Sequence, residues 1–426
     1  MSATAHAVVS DEQRHVAVIS WKAPVIFGVF TVLFALLPLI GPREGDSTFR
    51  LVRSAAAAIQ LPDLVLPSNA TAWVCVVLMA ASTVLAVVLT KSHRAMPLWL
   101  IAAYVAFLLI GFLSWASAGG TLPMIGLLGG ALALATPLVF GALSGVIGER
   151  AGVINIAIEA QLLSGAFTGA IVGSVTKSPW AGLVGAILAG MLVGLVLAVF
   201  AITYFVSQII VGVVLNVLVI GLTTFFFSTV MSDNPDLLNS PEVFPTIPIP
   251  LLSEIPVLGP VLFRQTIITY LMYVVVFAVS YGLYRTRWGL RLRAVGEHPQ
   301  AADTVGIKVR ATRYRAVMLG GAIAGMGGAF YTLVSNPQFG REMTAGAGFI
   351  ALAAMIFGKW DPIRAALAAL LFGFATNLQG VLSVIGSPVP SQFMLMLPYV
   401  VTLFAVAGLV GRSRPPAANG QPYIKS

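Results

Sequence analysis

Glu159 stands inside an apolar, glycine-rich stretch, LLGGALALATPLVFGALSGVIGERAGVINIAIEAQLLSGAFTGAIVG. An acid in such surroundings marks either a contact for a solute or proton, or a carboxyl satisfied by a neighbouring helix. Asn155 lies four residues earlier and shares its face if one helix runs through both. Gln161, Gln208, Asn216, Asn377 and Gln379 are amides in or near other apolar stretches. Amides can hydrogen-bond a hydroxylated or heterocyclic solute without the cost of burying a charge, and they can equally bond helix to helix. Phe225, Phe226 and Phe227 supply ring faces that suit a base, a sugar or lipid. The candidate path set is Asn155, Glu159, Gln208, Asn216, Phe226 and Asn377. Its chemistry is recognition, and no catalytic set is expected. There is no nucleophile–base arrangement and no Gly-x-x-x-x-Gly-Lys-Ser/Thr; Gly358-Lys359 is followed by Trp360 and lacks the earlier glycine. One cysteine, Cys75, excludes an intramolecular disulfide, and four scattered histidines give no pattern for a metal.

A second constellation is basic. Between Arg285 and Arg315 the chain reads RTRWGLRLRAVGEHPQAADTVGIKVRATRYR, with eight Lys/Arg against Glu297 and Asp303. In its middle, His298 or Glu297 can cap a helix, Pro299 suits the first position and Gly306 suits the residue after the last turn. A short capped helix held off a membrane is a docking knob for a partner; the plainer reading is a solvated loop on anionic headgroups.

The elements that must position these residues follow from composition. The chain has 426 residues, 58% hydrophobic and 9% charged, against about 25% charged in soluble domains. Repeated apolar runs of about 20 residues make it an all-α, polytopic integral membrane bundle, because backbone groups in hydrocarbon must be paired within the segment. The net charge of +9 is therefore read by side of the membrane, and no nucleic acid is expected as a partner. Short Lys/Arg-rich loops stay inside. This rule places the tail 1–22, the 285–315 loop and the tail 412–426 in the cytoplasm. Residues 23–116 hold three peripheral spans, and 117–411 form the core.

Within the core, Gly141-x-x-x-Gly145, Gly169-x-x-x-Gly173, Gly190-x-x-x-Gly194 and Gly321-x-x-x-Gly325 let helices approach closely. Spans 4 and 5 are expected to meet at a tight turn, Gly148-Glu149-Arg150-Ala151-Gly152, with Glu159 two turns into span 5. Residues 231–264 hold seven prolines, four acids and one arginine, which excludes a continuous helix and places them outside. They form a receiving surface or a plug. A ninth span is expected from about Val317 to Val334. Ala345 to Phe357 is apolar but short, so the total is 10 to 12 spans. The last covers about Phe393 to Val410, and an even number puts both termini in the cytoplasm.

GALSGVIGERAGVINIAIEAQLLSGAFTGA resembles the signature of nucleoside and simple-sugar ABC importer permeases, a family related to the branched-chain amino-acid permeases. IIVGVVLNVLVIGLTTFF, WGLRLRAVGEHPQAADTVGIKV and GAGFIALAAMIFGKWDP are similar to further family segments, in the same order. Family members often have Gly-Ile-Glu-Gly where this chain has Ala157-Ile158-Glu159-Ala160. The resemblance implies a permease subunit of the bacterial plasma membrane, paired with a second permease, commonly a paralogue. Two cytosolic ATPases would bind ATP and Mg, with no cofactor in this chain, and an extracytoplasmic binding lipoprotein would deliver solute. Membrane lipid is the remaining partner. Coupling to the ATPase is expected at Arg293, Gly296, Glu297, Pro299, Ala301, Ala302 and Gly306. The alternatives are a simple-sugar or branched-chain amino-acid permease and, in a different class, an ion-coupled secondary transporter.

Overall fold

The computed structural model describes residues 21–52, 61–386, 392, 396 and 415–425. The expected tail up to residue 20 lies outside them, as does the expected last span apart from Met396.

Three helices come first, α1 (Lys22–Ile40), α2 (Ser68–Lys91) and α3 (Leu98–Ala116). Next are α4 (Met124–Arg150), α5 (Ile158–Thr176), α6 (Pro179–Ala198) and α7 (Gln208–Phe226). Two short helices follow, α8 (Pro235–Leu238) and α9 (Leu258–Leu262), and then α10 (Ile267–Arg285), α11 (Arg287–Glu297) and α12 (Pro299–Thr304). The described helices end with α13 (Val309–Phe330), α14 (Ala347–Phe357) and α15 (Pro362–Ile385). Among the described residues, ten helices are long and apolar enough to cross a membrane. The protein is a multi-pass membrane protein. At 11 residues, α14 is not one of the ten. It rises only about 16 Å, half a hydrocarbon core. The expected short apolar stretch is thus the half-length α14, and the helix that follows it, α15, is long enough to span.

The chain divides into two compact units. The first holds α1–α3. In it the Tyr104 ring stacks on Phe27 at 3.9 Å, and its hydroxyl donates to the Phe27 carbonyl at 2.6 Å. The second holds Thr48–Val65 and everything from Gly120 onward, including a short parallel pairing of Thr48–Arg50 with Thr121–Pro123.

The second unit is built on α4, α5, α6, α13 and α15. Pro179, Pro299 and Pro362 each occupy a first helical turn, where the missing N–H costs nothing. Side-chain oxygens of Ser178 and Asp361 cap α6 and α15. Where α6 crosses α13, a Cβ on Gly190 would strike the Gly321 carbonyl, and a Cβ on Gly321 would strike that of Gly190. Both expected glycine pairs therefore face each other, and backbone contact replaces side-chain packing.

Loops segregate to two ends. At one end, the Asn239 amide bonds both the N–H and the C=O of Phe339, and the Phe244 N–H donates to Leu333. The proline-rich segment 231–264 lies here, broken as its prolines require into α8, α9 and an antiparallel pairing of Thr246–Pro248 with Arg264–Thr266. The opposite end carries the α4–α5 turn, the basic segment 285–315, the Lys359–Trp360 turn and residues 415–425.

Two expectations about the basic end are corrected. The ninth span begins at Val309 rather than near Val317, because the arginines 310, 313 and 315 continue the helix. Arg313 is only 1% exposed, so it is a packed side chain and not a solvated loop cation.

Candidate functional site

The polar residues of the core gather around a break between α4 and α5. Arg150 ends α4, Gly152 takes φ +86°, and α5 starts only at Ile158. Asn155 therefore lies before the helix and does not share a face with Glu159, and Glu159 sits in the first turn of α5 rather than two turns in. The intervening backbone is deeply buried; Ala151, Val153 and Ala157 are all 0% exposed. Non-helical backbone in that position must find partners. Side chains supply them. Gln208 accepts from the Ile154 N–H at 2.7 Å. Asn216 accepts from the Ala160 N–H at 2.9 Å and donates to the Ile156 carbonyl at 3.0 Å. The Asn155 amide donates to Ser144 Oγ at 3.0 Å and to Gln161 Oε1 at 3.1 Å. Three of the six candidate path residues thus meet at one unwound segment: Gln208 and Asn216 bond its backbone, and Asn155, which belongs to it, ties it to Ser144 of α4 and Gln161 of α5.

Glu159 faces the other way, onto the short helix. Its carboxylate accepts from the Thr344 hydroxyl at 2.6 Å, the Gly346 N–H at 3.0 Å and the Gly348 N–H at 2.6 Å. These donors open α14, where free N–H groups and the helix dipole both favour a carboxylate. Glu159 thus joins α5 to the half-length helix.

Phe226 and Asn377 stand apart from this cluster. Phe226 is 42% exposed, with Phe167 at 6.3 Å between ring centroids, so a ring face is open. Asn377 donates to the Leu127 carbonyl at 2.7 Å, beside a cavity of ≈ 510 Å³ that Gly126, Gly130, Arg264 and Gln265 help to line.

At the basic end, α12 has six residues with Pro299 first. The Gly306 N–H bonds the Asp303 carbonyl, and the Ile307 N–H bonds that of Ala302. With Gly306 at φ +84°, this is a Schellman ending. Pro299 and Ala302 are buried, while Ala301 is exposed and Val305 is 75% exposed. A Cβ on Gly296 would strike the Arg150 carbonyl, so the end of α11 lies directly on the end of α4. Arg293 lies over the Tyr284 ring at 5.3 Å, and Glu297 accepts from the Ala417 N–H at 3.1 Å.

The expected pair Glu149 and Arg150 does more than turn the chain. Glu149 accepts from Trp360 Nε1 at 2.6 Å and from Asn419 Nδ2 at 2.9 Å. The Arg150 guanidinium donates to the Trp360 carbonyl at 3.0 Å. Lys359 and Trp360 both hold positive φ, 56° and 55°, a conformation these contacts keep in place. Trp360, Thr344, Gln161 and Asn419 all belong to the site yet are absent from the expected set. Trp360 had a visible signal in the Gly-Lys-Trp-Asp-Pro turn and Gln161 as an amide in an apolar stretch; Thr344 and Asn419 had none.

A family model described as the permease component of the branched-chain amino acid transport system matches residues 127–406. The guanosine ABC transporter permease protein NupQ of Bacillus subtilis is 40% identical over 307 residues, covering 69% of this chain and 95% of the relative. The nucleoside ABC transporter permease protein NupC of Lactococcus lactis is 40% identical over 310 residues, with the same coverage. A putative glucose ABC transporter permease protein of Haloferax volcanii, TsgC13, is 36% identical over 68% of this chain and 92% of its own length. No solved structure matches the chain significantly.

Proposed function

This chain belongs to the family of permease components of the branched-chain amino acid transport system, an ABC transporter family, and from that premise we propose that it imports nucleosides across a bacterial plasma membrane. The observation that carries the substrate is the 40% identity to permeases named for guanosine and nucleosides, along 95% of their length. The identity to a putative glucose permease keeps simple sugars as the second reading.

In this mechanism the basic end is cytoplasmic, and α12 with Arg293, Gly296, Glu297, Pro299, Ala301, Ala302 and Gly306 engages the ATPase. Partner ATPase subunits hold and hydrolyse ATP with Mg. Closure of the ATPase pair pushes on α12. Through α11 the push reaches the end of α4, where Gly296 meets Arg150. The opposite end, where Asn239 clasps Phe339, receives a solute-loaded binding lipoprotein. A second permease, most simply a paralogue, completes the path. Asn155, Gln208 and Asn216 hold the unwound wall of that path in shape, Glu159 fixes α14 against it, and Phe226 offers a ring face to a base.

The test is to purify the tagged chain from its own host in mild detergent, identify what accompanies it, and measure labelled solute uptake in a deletion strain. An ATPase, a second permease and lost nucleoside uptake support the reading. An ATPase with intact nucleoside uptake and lost glucose uptake moves the substrate to sugars. Uptake that follows the proton gradient, with no ATPase, refutes it.

A further inference from the structure

The six-residue α12 is too short to hold its own place, and the structure shows what holds it. Val295 of α11, Ala302 of α12, Val309 of α13 and Tyr423 of the C-terminal segment form one buried cluster, with Ala294 and Ile307 packed against it. Tyr423 is by far the largest member and is 5% exposed. Its hydroxyl faces the Asp303 carboxylate, which Lys425 approaches at 4.0 Å. The rest of the segment is tied down in several places. The Ala418 N–H donates to the Gly296 carbonyl at 2.9 Å, the Gly420 N–H to that of Gly152 at 3.3 Å, and Arg313 Nη1 to that of Gln421 at 2.8 Å. Asn419 and Ala417 reach Glu149 and Glu297. One strap thus touches the last turn of α4, the break after it, the ends of α11 and α12, and the first turns of α13.

We propose that the C-terminal segment is part of the coupling element, with Tyr423 as the positioning residue that makes α11, α12 and the start of α13 move as one body. This rests on the reading of α12 as the ATPase contact. A helix of two turns seated on Val295 and Val309 alone would rock when pushed, because removing a large side chain leaves a gap that its neighbours fill only in part. The Tyr423 ring fills that space, and the strap's backbone bonds carry displacement of α12 to Gly152 and Arg313.

The test uses the complete transporter in proteoliposomes, with this chain, its partner permease, the ATPases and the binding protein. Guanosine taken up per ATP hydrolysed is measured for wild type, Tyr423→Phe, Tyr423→Leu and Tyr423→Ala. The expected result is a full ATPase complement throughout, with the uptake-to-hydrolysis ratio near wild type for Tyr423→Phe and at least about fivefold lower for Tyr423→Ala. A ratio equal to wild type in Tyr423→Ala overturns the proposal, whether both rates are unchanged or fall together. If Tyr423→Ala is not recovered from membranes, Tyr423→Leu carries the same criterion with a smaller drop. If wild type takes up glucose and not guanosine, the same ratio is read with glucose; wild type that takes up neither with ATP overturns the transport assignment itself, and this role for Tyr423 with it.

Discussion

The carboxylate of Glu159 and the hydroxyl of Thr344 are 2.6 Å apart, although 185 residues separate them in the chain. The same carboxylate takes the Gly346 and Gly348 amides, so one acidic side chain seats the whole of α14. A half-length helix needs such an anchor, since its first N–H groups have no partners within the helix. Glu159→Ala should cost about 2–3 kcal/mol, the penalty for buried donors left unpaired beside a helix end. Glu159→Gln should cost less. Thermal unfolding in detergent reads the difference. Uptake by Glu159→Gln should remain ATP-dependent and indifferent to proton uncouplers; sensitivity to them would revive ion coupling.

Asn216 bridges the Ile156 carbonyl and the Ala160 N–H across the break before α5. Asn216→Leu leaves both buried groups unpaired and should destabilise by about 2–4 kcal/mol. Asn216→Asp keeps the acceptor for Ala160 but loses the donor to Ile156 and sets a buried carboxyl against that carbonyl, so its midpoint of unfolding should also fall well below wild type. Midpoints equal to that of wild type in both variants would show that the bridge contributes nothing.

Glycine content separates two helices that look alike in sequence. A methyl on Gly190 meets the Gly321 backbone, whereas a Cβ on Gly221 of α7 meets nothing within 4 Å. Gly190→Ala should cost about 1–3 kcal/mol through overpacking. Gly221→Ala should be neutral or gain up to about 1 kcal/mol from helix propensity. Membrane-inserted yield and thermal midpoint of the pair, measured side by side, check the prediction.

Gly306 holds φ +84° at the end of α12. Gly306→Ala forces a side chain into the left-handed region at a cost of roughly 1 kcal/mol, and Gly306→Asn should cost less. The measured quantity is the amount of ATPase that copurifies. A fall in the order glycine, asparagine, alanine is expected, and a flat response would argue against α12 as the contact.

Trp360 gives its indole N–H to Glu149, which is 4% exposed. Trp360→Phe removes that donor and leaves Asn419 on the same oxygen. The expected loss is about 1–3 kcal/mol, seen as a lowered unfolding midpoint. In the double variant with Asn419→Ala, the loss should exceed the sum of the two singles, because the buried carboxylate then has neither donor.

Several features were legible in the residues before any coordinates. Hydropathy alone marks the spans, because a run of about 20 apolar residues has few other stable homes. The prolines of 231–264 rule out a helix there, and Pro299 with Gly306 brackets α12, since these residues act through their own backbones. The glycine pairs of α6 and α13 announce close contact for the same local reason. The start of α5 is not legible in this way: Val153 to Ala157 is apolar enough to pass for helix, and the partners Gln208 and Asn216 allow it to be unwound.

By itself, then, the sequence determined the membrane, most of the described spans and the short helix bracketed by Pro299 and Gly306, all of which depend on side chains or backbones close together in the chain. The tertiary structure alone decided which buried polar group serves which. Glu159 as a seat for α14, Asn216 as a bridge over the break and Tyr423 as the filling of the α11–α12–α13 cluster all join residues from remote parts of the chain. An amide, an acid or a tyrosine has the same composition whether it meets a solute or a backbone. Its role is set by what the packed helices bring within about 3 Å of its polar atoms.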